Sequence, residues 1–241
     1  YPSEATPSWL KFKTLKEEAY IANMELYKRG LALYTFGNAS AFDHNKAVFA
    51  IKPSGVPYEK MKPDDMVVVD LENNVVEGSL RPSSDTKTHS RLYRSFPDIC
   101  GVCHTHSTYA TAWAQAKKEI LILGTTHADH LPCSVPCTEE LSEEMINGDY
   151  EDNTGIAISN LFKKLKLNPS HVPMVIVASH GPFTWGENAQ KAVYNAVILE
   201  EIAKIAFLSV SLNPSLEMIS DCLIKKHFER KHGKNAYYGQ K

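Results

Sequence analysis

Apolar residues along this chain fall into two rhythms. Between 14 and 29, Leu15, Ala19, Ala22 and Leu26 recur at the spacing of one helix face, and Gly30 supplies a stop. Helical spacing returns at 108–116. It returns again at Ile158, Leu161, Phe162 and Leu165, behind an Asn153/Thr154 cap. The stretch 188–209 is apolar on most sides, which predicts a helix buried between a sheet and another helix or subunit. A more polar helix is expected over 215–232, ended by Gly233.

The second rhythm is a set of short apolar runs bounded by Gly, Pro and Asn, which read as strands. They are 31–36, 47–52, 66–71 and 74–78 (a hairpin with an Asn-containing turn), 99–106, 119–123 and 174–180. Residues 37–40 read as a polar turn, 124–130 as a Gly-led loop, and Gly181-Pro182 as a sharp turn after a strand. The Ser/Thr/Asp cluster at 83–89 offers several N-caps to a helix over 91–96. Strands and helices do not alternate cleanly, so the pattern predicts a mostly antiparallel or mixed sheet covered by helices, not a parallel βαβ fold. There is no internal repeat and no linker, so residues 1–241 are expected to form one domain, with 1–12 a poorly ordered N-terminal extension.

Composition narrows the function classes. A net charge of −2 gives no reason to expect nucleic acid or a membrane surface as partner, and no apolar run reaches spanning length. The first residues lack the basic and apolar regions of a signal peptide, and the five cysteines show no framework spacing. Both point to a cytoplasmic protein with reduced thiols, in which the sequon at Asn38 is idle.

The chemistry concentrates at Cys100-Gly-Val-Cys-His-Thr-His106. On a strand, His104 and His106 point to the same side and can chelate one ion. His180, at the end of a second apolar run, is the candidate third ligand. Three neutral imidazoles with an open position suit a catalytic Zn2+, whereas a single buried histidine is ordinarily a hydrogen-bonded core residue. Cys100-x-x-Cys103-His104 also matches the c-type haem pattern, but on a strand the two thiols face opposite ways. Elsewhere, Lys52 followed by Pro53-Ser54-Gly55 reads equally as a phosphate cradle or an ordinary turn. The free N–H groups and hydroxyls of the 83–89 segment could hold an anion too. Asp129, between His127 and His130, is a candidate acid–base group, and those two histidines read as flanking groups more than ligands. A TIM-barrel amidohydrolase would carry His-x-His near the start of a longer chain. A metallo-β-lactamase-like hydrolase would place an acidic residue soon after the second histidine, where Ser107-Thr-Tyr stands.

Taken together, several stretches carry a resemblance. They are Gly37-Asn-Ala-Ser40, Ile51-Lys-Pro-Ser-Gly55, Arg81-Pro-Ser-Ser-Asp-Thr86, His104-Thr-His106, Gly124-Thr-Thr-His-Ala-Asp129, Ile146-Asn-Gly-Asp-Tyr-Glu151, Ser179-His-Gly-Pro-Phe-Thr-Trp-Gly186 and Lys231-His-Gly-Lys-Asn-Ala-Tyr-Tyr-Gly-Gln240. In this order they resemble the class II aldolase/adducin-head family. The Thr-Thr-His-Ala-Asp loop and the terminal Tyr-Tyr-Gly-Gln resemble its epimerase branch. Ala39 and Cys103 depart from the pattern only at apolar positions.

The resemblance implies a single three-layer α/β/α domain with a central, mostly antiparallel sheet. It also implies a homotetramer of four-fold symmetry with active sites between adjacent subunits. It makes His104, His106 and His180 the ligands of one Zn2+ per subunit, with Asp85 a weaker one. Gly37, Asn38, Ser54, Gly55, Ser83 and Ser84 become substrate and phosphate contacts, with Lys52 an added one. Asp129 and Tyr238 become the acid–base pair, Tyr238 reaching in from a neighbouring subunit. The implied reaction interconverts L-ribulose 5-phosphate and D-xylulose 5-phosphate by breaking and re-forming the C3–C4 bond. A fuculose-1-phosphate type aldolase would carry a Glu where Ser84-Asp85 stands. An adducin-like interaction module would lack the intact histidine set, and a related dehydratase would not call for the Asp129/Tyr238 pairing.

Overall fold

The computed structural model describes residues 11–239. Among them, seven strands form one sheet in the order β4-β3-β2-β1-β5-β7-β6, every neighbouring pair antiparallel. The strands are β1 (Asn38–Asp43), β2 (Val48–Ile51), β3 (Val67–Asp70), β4 (Val75–Glu77), β5 (Gly101–His104), β6 (Met174–Val177) and β7 (Gly181–Gly186). Eight α-helices accompany them: α1 (Lys13–Lys28), α2 (Thr86–Ser95), α3 (Thr108–Ala116), α4 (Thr125–Ala128), α5 (Glu143–Asn147), α6 (Tyr150–Lys164), α7 (Ala189–Leu212) and α8 (Asp221–His232).

Alternation along the central strands sorts side chains into two cores, which is what makes three layers. Ala39, Ala41, Ala50, Val68 and Cys103 pack with α1 and the first half of α7. Phe42, Phe49, Ile51, Val102 and Trp185 face the other way, toward α2 and α6. There Phe96, Phe162 and Trp185 meet with ring centroids 5.0–5.3 Å apart. The small side chains on the first face let α1 lie close, and Asn23 of α1 clamps the strand. Its Nδ2 donates to Ala39 O and its Oδ1 accepts from Ala39 N–H, both at 2.8 Å.

Several local expectations are corrected. Residues 31–36 are not a strand: both edges of β1 are already taken by β2 and β5, and Tyr34 adopts a positive φ of 53°. Residues 38–40 are not a turn but the opening of β1. Residues 119–123 make only a single bridge, Ile120 to Val135, and the 124–130 loop contains α4. Helix α6 starts at Tyr150, before the expected cap, and Asn153 and Thr154 turn inward to Met145 O and Tyr150 O. The turn after β6 comes one step earlier than expected, because Gly181-Pro182 opens β7. Helix α8 begins at Asp221 behind a Ser220 cap. Of the expected N-terminal extension, residues 1–10 lie outside the described residues, while Phe12 is buried beside α1. Helix α7 buries one face along Ala189–Ala206, while Tyr194, Ile205, Phe207 and Leu208 on it are exposed. No helix of the described residues is long and apolar enough to cross a membrane.

Gly101 fixes how α7 sits on the sheet. A Cβ there would lie 2.3 Å from Asn188 O and 2.5 Å from Ala189 Cα, at the start of α7. Overpacking of that kind costs about 1–3 kcal/mol when backbone must move. Gly101→Ala is therefore expected to lower the melting temperature by several degrees, read by circular dichroism. An unchanged transition would show that α7 is free to lift.

Candidate active site

The antiparallel register decides where the chemistry gathers. Asn38 of β1 stands opposite His104 of β5, which stands opposite Phe183 of β7. Hence the start of β1, the end of β2, the end of β5 and the start of β7 share one sheet edge. A cleft of ≈ 600 Å3 opens there. It is lined by eleven residues singled out from sequence: Gly37, Asn38, Lys52, Ser54, Gly55, Ser83, Ser84, Asp85, His104, His106 and His180. Gly37 makes the first bend possible, with φ +73° and a hypothetical Cβ 2.9 Å from His104 O.

The three imidazoles form the floor, with one nitrogen from each lying within 4.8 Å of the others. His104 Nδ1 donates to Pro182 O at 2.9 Å. A carbonyl can only accept, so the proton is on Nδ1 and the Nε2 lone pair is free. That Nε2 lies 3.0 Å from His106 Nε2. Two nitrogens on one tetrahedral zinc at about 2.0–2.1 Å stand about 3.3 Å apart, so the pair already has the spacing of ligands. Burial, then the neighbouring His104, lowers His106, and the same two causes push His180 down to about 4. Neutral imidazole is the ligating form, so the donor set fits a divalent ion. His106 lies beyond the end of β5, and His180 sits in the β6–β7 turn behind Ser179, held at φ 61°.

Asp85 occupies the N-cap position of α2 but makes no capping bond. Its carboxylate instead accepts from Asn38 Nδ2 at 2.7 Å. Burial alone would raise its pKa; the neighbouring His104 and His89 imidazoles and the Asn38 hydrogen bond outweigh that and hold it below the ordinary range. The serine loops are less open than their sequence suggested. Ser54 N–H is spent on Arg81 O and Ser83 N–H on Lys52 O, both at 2.9 Å. The hydroxyls of Ser54 and Ser84 remain for an anion, together with Lys52. The ammonium of Lys52 is buried, touches only the carbonyls of Thr35 and Pro53 at 3.4 and 3.3 Å, and lies 4.9 Å from the Tyr58 ring centre.

Tyr150 and Glu151 also line the cleft. The sequence reading gave them no role, although they end the Ile146–Glu151 stretch. Tyr150 OH lies 3.2 Å from His180 Nδ1. Asp129 and Tyr238 are not in the cleft of their own chain. Both lie at a corner of α4 and α8, where they share Arg230 and Lys231 as neighbours. There Asp129 accepts from Arg230 at 2.7 and 2.9 Å and lies 2.9 Å from His227 Nδ1. The exposed Tyr238 ring covers Lys231 Nζ at 4.3 Å. Partial burial works against the Asp129 charge, but the Arg230 and His227 hydrogen bonds outweigh it and lower its pKa. His127 donates elsewhere, with Nε2 3.1 Å from Cys133 O, and neither it nor His130 joins the imidazole cluster.

Burial pushes Lys52 from 10.5 down to about 8. Below about pH 8 the folded chain bears the full cost of a desolvated charge. Between that pH and the unfolded value the folded chain sheds its proton first and stability rises; above it the two states match. Lys52→Met is thus expected to melt about 2–6 °C above the parent at pH 7, with the gap closing by about pH 10.5. A lower melting temperature at pH 7 would mean that the carbonyls and the ring more than offset the burial.

The comparisons agree with this geometry. The family described as class II aldolase and adducin N-terminal domain matches residues 17–207. The L-ribulose-5-phosphate 4-epimerase UlaF of Salmonella paratyphi C is 54% identical over 227 residues, covering 94% of this chain and 99% of the relative. Its namesake from Salmonella typhi is as similar over the same span. A solved L-fuculose 1-phosphate aldolase superposes with a TM-score of 0.75 at 26% identity, covering 95% of this chain and 98% of that one. YgbL of Klebsiella pneumoniae, described as a putative aldolase/epimerase/decarboxylase, shares the fold with a TM-score of 0.70 at 23% identity, over 89% and 97% of the two chains. This chain belongs to the class II aldolase and adducin N-terminal domain family.

Proposed function

We propose that the protein is a zinc-dependent L-ribulose-5-phosphate 4-epimerase, interconverting L-ribulose 5-phosphate and D-xylulose 5-phosphate. The reading rests on one coincidence: a three-imidazole donor set and a buried lysine among serine hydroxyls share one cleft. The chain carrying them is 54% identical to relatives named for that reaction, over 99% of their length. The cytoplasm is where such a phosphorylated substrate would be met.

The centre to be inverted, C4, is two bonds from the C2 carbonyl, so its own hydrogen is not acidic. Breaking and re-forming the C3–C4 bond avoids that difficulty. Zn2+, when bound, supplies Lewis acidity to the ketone end of the substrate. His104, His106 and His180 would hold it, with Asp85 as the fourth, weaker group steadied by Asn38. Lys52, Ser54 and Ser84 would grip the phosphate while the aldehyde fragment turns over. Without that grip the fragment would leave and the outcome would be an aldolase. Proton traffic at the C4 oxygen has to occur on two opposite faces, since the two epimers differ there. Asp129 and Tyr238 fill these roles: a carboxylate held ionised by Arg230 and a phenol that offers a proton. A homotetramer with sites between adjacent subunits brings their corner to the cleft of the next subunit. The exposed rim residues Leu33, Tyr34 and Phe36 beside that cleft are consistent with such a neighbour.

Zinc-loaded protein is expected to convert L-ribulose 5-phosphate to D-xylulose 5-phosphate, and a chelator to abolish it. Accumulation of dihydroxyacetone and glycolaldehyde phosphate instead would make it an aldolase. Tyr238→Phe should keep oligomer and metal yet lose turnover by roughly 10²- to 10⁴-fold. Near-parental turnover would remove Tyr238 from the chemistry.

A further inference from the structure

Helix α2 and strand β1 are joined as a ladder. Asp85, His89 and Tyr93 are spaced by four and stack on one helix face. Asn38, Ser40 and Phe42 are spaced by two and share one strand face. Four helical residues rise about 6 Å and two strand residues about 6.6 Å, so the two series stay in step over three rungs. Asp85 Oδ2 accepts from Asn38 Nδ2 at 2.7 Å. His89 Nδ1 meets Ser40 Oγ at 2.7 Å. Tyr93 stacks on Phe42 with centroids 4.6 Å apart, and its hydroxyl lies 2.6 Å from Ser40 Oγ. The opposite flank of α2 is tied to α6, with Thr88 Oγ1 donating to Glu151 O at 2.7 Å and Arg91 gripping Asp152 at 2.6 and 2.8 Å.

Only the top rung reaches the cleft. The lower two are fully buried, with His89 and Ser40 at 0% exposure. His89 is an odd choice for a spacer there. Burial pushes it down to about 3, so it is neutral, and its Nε2 has no partner among the described residues. Asn38 Oδ1, one rung up, is likewise buried and unpartnered. A leucine in place of His89 would fill the space without stranding a polar atom. What the imidazole adds is a directional bond to the strand. Asp85 gains from it because, at the end of the helix and uncapped, it moves wherever α2 moves.

We propose that His89 is a positioning residue for the metal site: its bond to Ser40 sets α2 on β1 in the register that holds the Asp85 carboxylate in the cleft of the three imidazoles. This rests on the metal reading above. It deepens that reading by assigning the buried Ser40–His89 rung to the support of the site.

The test is zinc affinity of the full chain, by competition with a chromogenic chelator, with folding checked by circular dichroism. His89→Gln gives up the Nδ1 position, and Ser40→Ala removes its partner. Both are expected to bind zinc about 10- to 100-fold more weakly. His89→Asn, whose amide overlays Nδ1, is expected to recover most of the loss. Tyr93→Phe, one rung further from the cleft, is expected to lower the melting temperature and leave zinc affinity unchanged. On an Asp85→Asn background, His89→Gln is expected to add no further loss, since it acts through Asp85. Parental zinc affinity in folded His89→Gln, no recovery in His89→Asn, or a full additional loss on the Asp85→Asn background would each overturn the proposal. If His89→Gln does not fold, Ser40→Ala and His89→Asn decide the matter by the same readout. Zinc alone is the probe, so a parent protein inactive on L-ribulose 5-phosphate would sink the epimerase reading and leave this one standing.

Discussion

The register of β1, β5 and β7 is the constraint on which the site depends. Antiparallel pairing places Asn38, His104 and Phe183 in one row across three strands. It also brings the ends of β2 and β5 to the same edge as the starts of β1 and β7. Each of those four ends delivers one part: Asn38, the Lys52–Gly55 loop, His104, and His180 in the turn before β7. A slip of one residue on β5 would turn His104 toward α1 and present Cys103 to the cleft. The buried hydrogen bond from His104 to Pro182 O then fixes both ring orientation and tautomer. An imidazole so anchored cannot follow a loop.

Around this edge the chain gives up stability that it recovers elsewhere. Ser179 holds a left-handed conformation directly before His180, and Tyr34 does the same at the rim of the cleft. Among the described residues, Lys52 is buried without an acidic partner, and Asn38 Oδ1 and His89 Nε2 are buried without any. The three buried groups lie on β1, just past β2 and on α2. The core beneath α2 and α6 is conventional, built on Phe96, Phe162 and Trp185 and on the aliphatic side chains of β6. Strain of this kind persists only where its surroundings over-determine it. Here they do so through the Asn23 clamp on β1, the close seat of α7 on Gly101, and the ladder between α2 and β1.

The corner formed by α4 and α8 follows a different logic. Asp129 is paired with the cations of Arg230 and Lys231 beside His227 Nδ1, and the tail folds back so that two backbone N–H groups, of Tyr237 and Tyr238, reach Arg230 O. Asp129 and Tyr238 thus share the Arg230 and Lys231 cations at this corner, outside the donor-rich cleft of their own chain.

Much was legible in sequence alone, and for identifiable reasons. The helix faces of α1, α3 and α7 follow from apolar spacing, and the β3–β4 hairpin from two apolar runs across an Asn turn. His104, His106 and His180 follow from paired imidazoles at the ends of apolar runs. Pattern was misleading where apolar residues had no edge to pair with, as at 31–36, and where polar residues nonetheless entered the sheet, as at Asn38 and Ser40. Strand membership depends on a partner distant in sequence, and no local signal carries it. His89 shows the same limit: it read as the last residue of a capping segment, because a spacing of four on a helix and two on a strand coincide only once the elements are docked. Which chemistry the chain could hold is written in its residues, since side-chain type and period are local properties. Which groups meet depends on the folded chain, because antiparallel register and helix seating set distances between residues far apart in the chain.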